Sequence, residues 1–234
     1  MKGVGALANL DAPCYDAILG ATEMARIVNA DAEGALTEAV DVLKDGGVIV
    51  YPSDTVYGLG AAASDAQAVE RVFAVKGRDT EKALSLLLAG VTDLTPLCSE
   101  VPLLASVLAQ RYWPGPLTLV LRRSPAYGSA ALGGGDTVAV RVPDHPFLRD
   151  LIRALGEPIT GTSANRSGRP ACRSAQEADR ELGDAADLIV DGGPSGIGPE
   201  STVVDLTSGL PLILREGAIP RVEVERLASA ARAK

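Results

Sequence analysis

Strand-like and helix-like segments alternate along most of this chain, but some strands follow strands directly while others follow helices. Two parallel neighbours need a crossover, usually a helix, whereas antiparallel neighbours need only a turn. The order therefore predicts one α/β domain around a mixed sheet. Apolar residues at helical spacing mark 31–44, where Leu36, Val40 and Leu43 repeat and Gly46-Gly47 supplies a stop. Ser64 to Gln67 has the form of a capping box opening a helix through Val69, Val72 and Phe73. Further helices are expected over 100–111, 144–155 and 174–182, with an amphipathic tail over 222–232 that frays. Short apolar runs predict strands over 47–50, 83–89, 117–122, 138–142, 158–160, 188–190, 202–206 and 212–214.

With 234 residues the chain is long enough for a sizeable core, and 47% of it is hydrophobic. Only 3% is aromatic, so that core must rest on Ala, Val, Leu and Ile. No apolar run approaches the ~18 residues of a membrane span. Asp11 and Pro13 interrupt the N-terminus, which argues against a secretory signal. Residues 1–30 are expected to form a loosely ordered extension, with Met24 as an alternative initiator, residues 31–220 the domain, and 221–234 the helical tail. Cys14, Cys98 and Cys172 are odd in number and far apart, which suits free thiols in a reducing cytoplasm and argues against disulfides and zinc. His145 is the only histidine, so a histidine-based metal site is excluded. The net charge is −8, which leaves no general field for polyanions, so any bound phosphate must meet a local cluster of Lys and Arg.

The segment Tyr51 to Gly60, YPSDTVYGLG, places Ser53, Asp54 and Thr55 at the end of the first apolar run, ahead of two glycines that let the backbone turn or approach a ligand closely. An ordinary polar turn is the alternative. Lys76 and Arg78 flank a glycine at a helix end, where both can face one phosphate or simply complement the helix dipole. In TGTSANRSG, Ser163 and Asn165 lie two apart and share a side if the segment is extended; a Ser or Asx turn is the alternative. His145 lacks a nucleophile elbow and is expected to cap or pack, and Trp113 to anchor packing. Gly58 to Ala63 fits G-x-G-x-x-A formally, but the glycines stand too far past the strand and too early for the helix to serve a dinucleotide.

YPSDTVYGLG, KGR (76–78), YWPGPLTLVL (112–121), VRVPDHP (140–146), TSANRSG (162–168), STVVD (201–205) and LREG (214–217) occur in this order. Together they resemble the YrdC/Sua5/TsaC family of L-threonylcarbamoyladenylate synthases over roughly residues 33–220. The resemblance implies a twisted mixed sheet, helices packed around it, and a deep concave ligand face. It also implies synthesis of threonylcarbamoyl-AMP and pyrophosphate from L-threonine, bicarbonate and ATP with Mg²⁺, for modification of tRNA adenosine 37 by a downstream transferase complex. By the same resemblance Lys76, Arg78, Ser163 and Asn165 match a K-x-R…S-x-N tetrad, while Thr55, Thr118, Arg141, Ser201 and Arg215 map to the L-threonine and ATP pocket. Thr118 and Arg141 read otherwise as edge-strand residues. Asp79 stands where many members have Pro, placed to pair with Arg78 or help hold a cation, and Ala83 also departs from the pattern. No metal ligand set, no membrane contact and no stable tRNA complex are expected, and the second domain of longer members is expected to be absent. The alternatives are an RNA-binding module, disfavoured by acidity and few aromatics, and a carbamoyl-adenylate-forming module.

Overall fold

The computed structural model describes residues 25–196 and 198–232. Ten strands form the sheet: β1 Arg26–Asn29, β2 Ile49–Tyr51, β3 Gly58–Gly60, β4 Ser85–Leu87, β5 Leu117–Arg122, β6 Thr137–Arg141, β7 Ile159–Ser163, β8 Leu188–Asp191, β9 Thr202–Asp205 and β10 Leu212–Arg215. Six α-helices accompany them among the described residues: α1 Ala35–Lys44, α2 Ala66–Lys76, α3 Leu103–Tyr112, α4 Pro146–Leu155, α5 Ala175–Leu182 and α6 Arg221–Arg232. The strand order is β1-β8-β2-β3-β7-β4-β6-β5-β9-β10. The β1–β8, β8–β2, β4–β6 and β5–β9 pairs are parallel and the rest antiparallel, so the sheet is mixed as expected. None of the described helices is long and apolar enough to cross a membrane.

The faces of the sheet are covered unequally. One face carries the large aliphatic core, where Leu117, Leu119 and Leu121 of β5 and Val138 and Val140 of β6 meet α2, α3, α5 and α6. Among the described residues, the opposite face is covered at one end only. There α1 (Ala39, Val40, Leu43) and α4 (Leu148, Leu151, Ile152) pack on Ile49, Tyr51, Leu188 and Val190. The C-terminal tail belongs to the core, because Val224 and Ala228 of α6 are buried. Trp113 is also buried, donating Nε1–H to the Leu117 carbonyl at 2.6 Å beside the cis Trp113–Pro114 bond.

Several boundaries differ from expectation for local reasons. Within the stretch expected as an extension, residues 26–29 form β1 and pair in parallel with β8; residues 1–24 lie outside the described residues. Helix α1 starts at Ala35 rather than 31, because Gly34 at φ 84° turns the chain immediately before it. Pro102 sets the start of α3. Ser64 does not cap α2: Asp65 does, accepting from the Ala68 N–H at 2.9 Å, while the Ser64 hydroxyl donates to Glu157 at 2.8 Å. The strand expected at 158–160 runs on to Ser163.

The glycines of YPSDTVYGLG form β3 itself. A Cβ on Gly58 would collide with the Tyr51 ring, and one on Gly60 with the Thr160 carbonyl. Their absent side chains let Tyr51 lie across β3 and donate its hydroxyl to the Thr160 carbonyl at 2.9 Å. Packing by itself is enough to require them. Gly60→Ala is expected to cost about 1–3 kcal/mol, because backbone rather than a flexible side chain must move. Gly128→Ala, which meets nothing within 4 Å, is expected to stay within about 0.5 kcal/mol of wild type. Denaturant titration of the two variants checks this; equal stabilities would contradict the close packing of β3 on β7.

Candidate functional site

The uncovered part of the second face forms the floor of a cavity of about 670 Å³. Strand alternation supplies the floor: Thr118 and Val120 of β5, and Thr137, Ala139 and Arg141 of β6, point away from the core and into it. All nine side chains that the resemblance maps to the site line this cavity: Thr55, Lys76, Arg78, Thr118, Arg141, Ser163, Asn165, Ser201 and Arg215. Neither Thr118 nor Arg141 is on an edge strand, since β5 lies between β6 and β9, and β6 between β4 and β5.

At one end of the cavity, Arg141 forms an ion pair with Asp54, whose side chains are 10% and 13% exposed, at 2.6 Å. Its other guanidinium N–H groups donate to Thr55 Oγ1 at 3.2 Å and to the Gly115 carbonyl at 3.0 Å. Ser53 Oγ lies 3.3 Å from Thr55 Oγ1 and donates to the Val56 carbonyl at 2.7 Å. The Pro52 loop is thus folded around its own hydroxyls and one distant arginine. Asp54 does not line the cavity; it holds Arg141 from behind.

The other cations gather farther along. Lys76, at the C-terminus of α2, is 4% exposed and donates Nζ–H to the Ser163 carbonyl at 2.6 Å and to Asn165 Oδ1 at 3.0 Å. Neither partner carries charge. Burial, reinforced by neighbouring Arg78, lowers the Lys76 pKa to about 8. The Ser163–Asn165 segment is a tight turn, with the Asn165 N–H bonded to the Ser163 carbonyl at 2.9 Å, so the expected extended geometry is not found. Lys76 therefore meets the Ser163 carbonyl rather than its hydroxyl.

Arg78 donates to the Ala83 carbonyl at 3.0 Å, while its buried Nε finds no partner. Burial and the nearby Arg215 both lower its pKa. Asp79 does not pair with it; the carboxylate accepts the Glu81 N–H at 3.0 Å in a local turn. Arg215 donates to the Ser201 carbonyl and hydroxyl, each at 3.0 Å, and the Ser201 hydroxyl lies 3.0 Å from Thr118 Oγ1. Glu200, which sequence reasoning missed although it adjoins Ser201, pairs with Arg215. His145 stands at the N-cap of α4 without a side-chain cap bond, its Nδ1 buried and unpartnered, and does not line the cavity. Cys98 and Cys172 are buried free thiols, each held protonated by burial with a pKa of about 11.

Four cations facing one cavity, two of them without a carboxylate partner among the described residues, can neutralise an anion with several oxygens. Among the described residues, no group of three or more His, Cys, Asp or Glu is placed to hold a metal ion.

Residues 41–217 match the family model Sua5_yciO_yrdC, described as telomere recombination. The threonylcarbamoyl-AMP synthase of Pyrococcus abyssi is 43% identical over 189 residues, covering 81% of this chain and 56% of that protein. That of Vibrio cholerae is 42% identical over 184 residues, covering 78% and 97%. The chain spans about half the length of the Pyrococcus abyssi and Bacillus subtilis relatives. Among solved structures, P. abyssi Sua5 complexed with L-threonine superposes with a TM-score of 0.82 at 40% identity, covering 88% of this chain and 61% of that one. E. coli YciO gives 0.75 at 30% identity, covering 85% and 97%.

Burial and the neighbouring Arg78 charge make the titration of Lys76 a direct readout of the site. In the free protein the ¹³Cε resonance of Lys76 is expected to titrate near pH 8. A bound polyanion favours the ammonium form and should move that midpoint upward. A midpoint near the ordinary lysine value in the free protein would contradict the buried geometry.

Proposed function

Because the chain belongs to the YrdC/Sua5 family, we propose that it is a threonylcarbamoyl-AMP synthase, joining L-threonine, bicarbonate and ATP into L-threonylcarbamoyladenylate with release of pyrophosphate. The observation that carries this reading is the single cavity in which Lys76, Arg78, Arg141 and Arg215 converge. The L-threonine bound by the P. abyssi protein, named for its crystal structure, supports an amino-acid subsite.

In this reading Arg141, fixed by Asp54, offers its guanidinium to the carboxylate of threonine, and Thr55 orients the substrate beside it. The threonine amine attacks CO₂ derived from bicarbonate and loses a proton, giving a carbamate. A carbamate oxygen then attacks the α-phosphorus of ATP, the bond to the bridging oxygen breaks, and pyrophosphate leaves with that electron pair. Nucleophile and target are both anionic, so catalysis is positioning and charge neutralisation. Lys76, Arg78 and Arg215 face the phosphates, and Ser163 and Asn165 hold Lys76 in place. Thr118 and Ser201 steady Arg215.

Mg²⁺ enters this scheme as the companion of ATP. Glu200 is the one carboxylate among the described residues lining the cavity, which suits an ion held mainly by phosphate oxygens and water. The adenylate then passes to the transferase complex that modifies tRNA adenosine 37. The protein's net charge of −8 argues against its holding tRNA itself.

The test supplies ATP, Mg²⁺, labelled bicarbonate and single amino acids, and measures labelled adenylate and pyrophosphate. Lys76→Ala and Arg78→Ala are each expected to lose about 10²-fold or more in turnover with an intact fold. Activity within twofold of wild type would remove the phosphate assignment. Threonine should exceed serine, and serine should exceed valine, because valine leaves polar groups of the pocket unpaired at about 1–3 kcal/mol each. Valine turning over as well as serine would contradict a hydroxyl-reading pocket.

A further inference from the structure

Among the described residues, one carboxylate, Glu200, lines the cavity beside its four cations, and it is already engaged. Glu200 Oε2 accepts from Arg215 Nη1, while Nε and Nη2 of the same guanidinium are spent on the Ser201 carbonyl and hydroxyl. Arg215 therefore points all three nitrogens at the protein. Beside it Arg78 has a buried Nε with no partner, and the two guanidinium charges oppose one another. The Arg215–Glu200 pair is half open to water, its side chains 45% and 37% exposed. A pair screened to that degree is worth little, so it exchanges partners easily.

We propose that Glu200 is the internal counter-ion of this site: it occupies Arg215 while the cavity is free and gives way when a polyphosphate arrives, letting Arg78 and Arg215 take the ligand's oxygens together. The proposal rests on the phosphate reading above. It assigns Glu200 a negative contribution to polyphosphate affinity. Pyrophosphate, the product of the proposed reaction, would otherwise face Lys76, Arg78 and Arg215 with nothing to compete for them. The carboxylate returns to Arg215 as the product departs, so the exchange favours release.

The test is calorimetric titration of inorganic pyrophosphate into metal-free protein, with a chelator and fixed low salt. It compares wild type, Glu200→Gln, Arg215→Ala and the double variant. Glu200→Gln keeps the shape and removes the charge, and thermal melting establishes that each variant is folded. The expected result is binding about three- to fivefold tighter in Glu200→Gln than in wild type, with the gain falling below about 1.5-fold when Arg215 is absent. Unchanged or weaker binding in Glu200→Gln, in a wild type that binds pyrophosphate, would overturn the counter-ion exchange alone and make Glu200 a prop for Arg215. A gain of equal size without Arg215 would also overturn it, since the effect would then be a general field. Absence of binding by all four proteins would overturn it together with the phosphate reading beneath it.

Discussion

The two-residue pleat of β5 and β6 is the constraint on which both core and cavity depend. Leu117, Leu119 and Leu121 face the helices, and Thr118 and Val120, between them, face the cavity. A slip of one residue in this pairing would put leucines on the cavity floor and a threonine in the core, so apolar burial on one face holds polar chemistry in register on the other. The Arg141 guanidinium extends the link sideways. It leaves β6 and reaches the Gly115 carbonyl, Thr55 and Asp54, tying the Pro52 loop to a strand several places away in the sheet.

The charge of the protein and the charge of the cavity have opposite signs. The acidic excess is what remains after other carboxylates are neutralised in exposed pairs such as Arg71–Asp187 and Arg226–Glu223. The cavity gathers arginines and a lysine whose partners are mostly carbonyls, hydroxyls and an amide. Neutral acceptors satisfy the N–H groups of Lys76 and Arg78 geometrically and leave those two charges uncompensated. The positive charge is thereby concentrated in one recess of an otherwise acidic molecule.

Much of this was legible in the sequence, for identifiable reasons. The mixed sheet followed from strands that succeed strands, and the shared cavity from an ordered set of motifs. What escaped was long-range or locally irregular. Asp54 and Arg141 are 87 residues apart, and nothing in either segment announces the pair. The strand β3, Gly-Leu-Gly, lacks the β-branched residues that signal a strand and exists because Tyr51 needs the space. At α2 two adjacent residues, Ser64 and Asp65, both suit an N-cap, and the acid at Glu157, which takes Ser64, lies far along the chain. Glu200 carried no signal beyond adjacency, since an isolated acid before a strand is usually a solvated one.

The position of β8 between β1 and β2 bears on how the chain is made. Val48 and its partner Asp187 are 139 residues apart, so the parallel edge of β2 has no mate until most of the protein has been synthesised. At ribosomal speeds of about 5–20 residues per second, that is roughly seven to thirty seconds. Throughout that interval Ile49 and Val50 present an unpaired strand edge on a nascent chain, the kind of surface that invites aggregation and that chaperones cover.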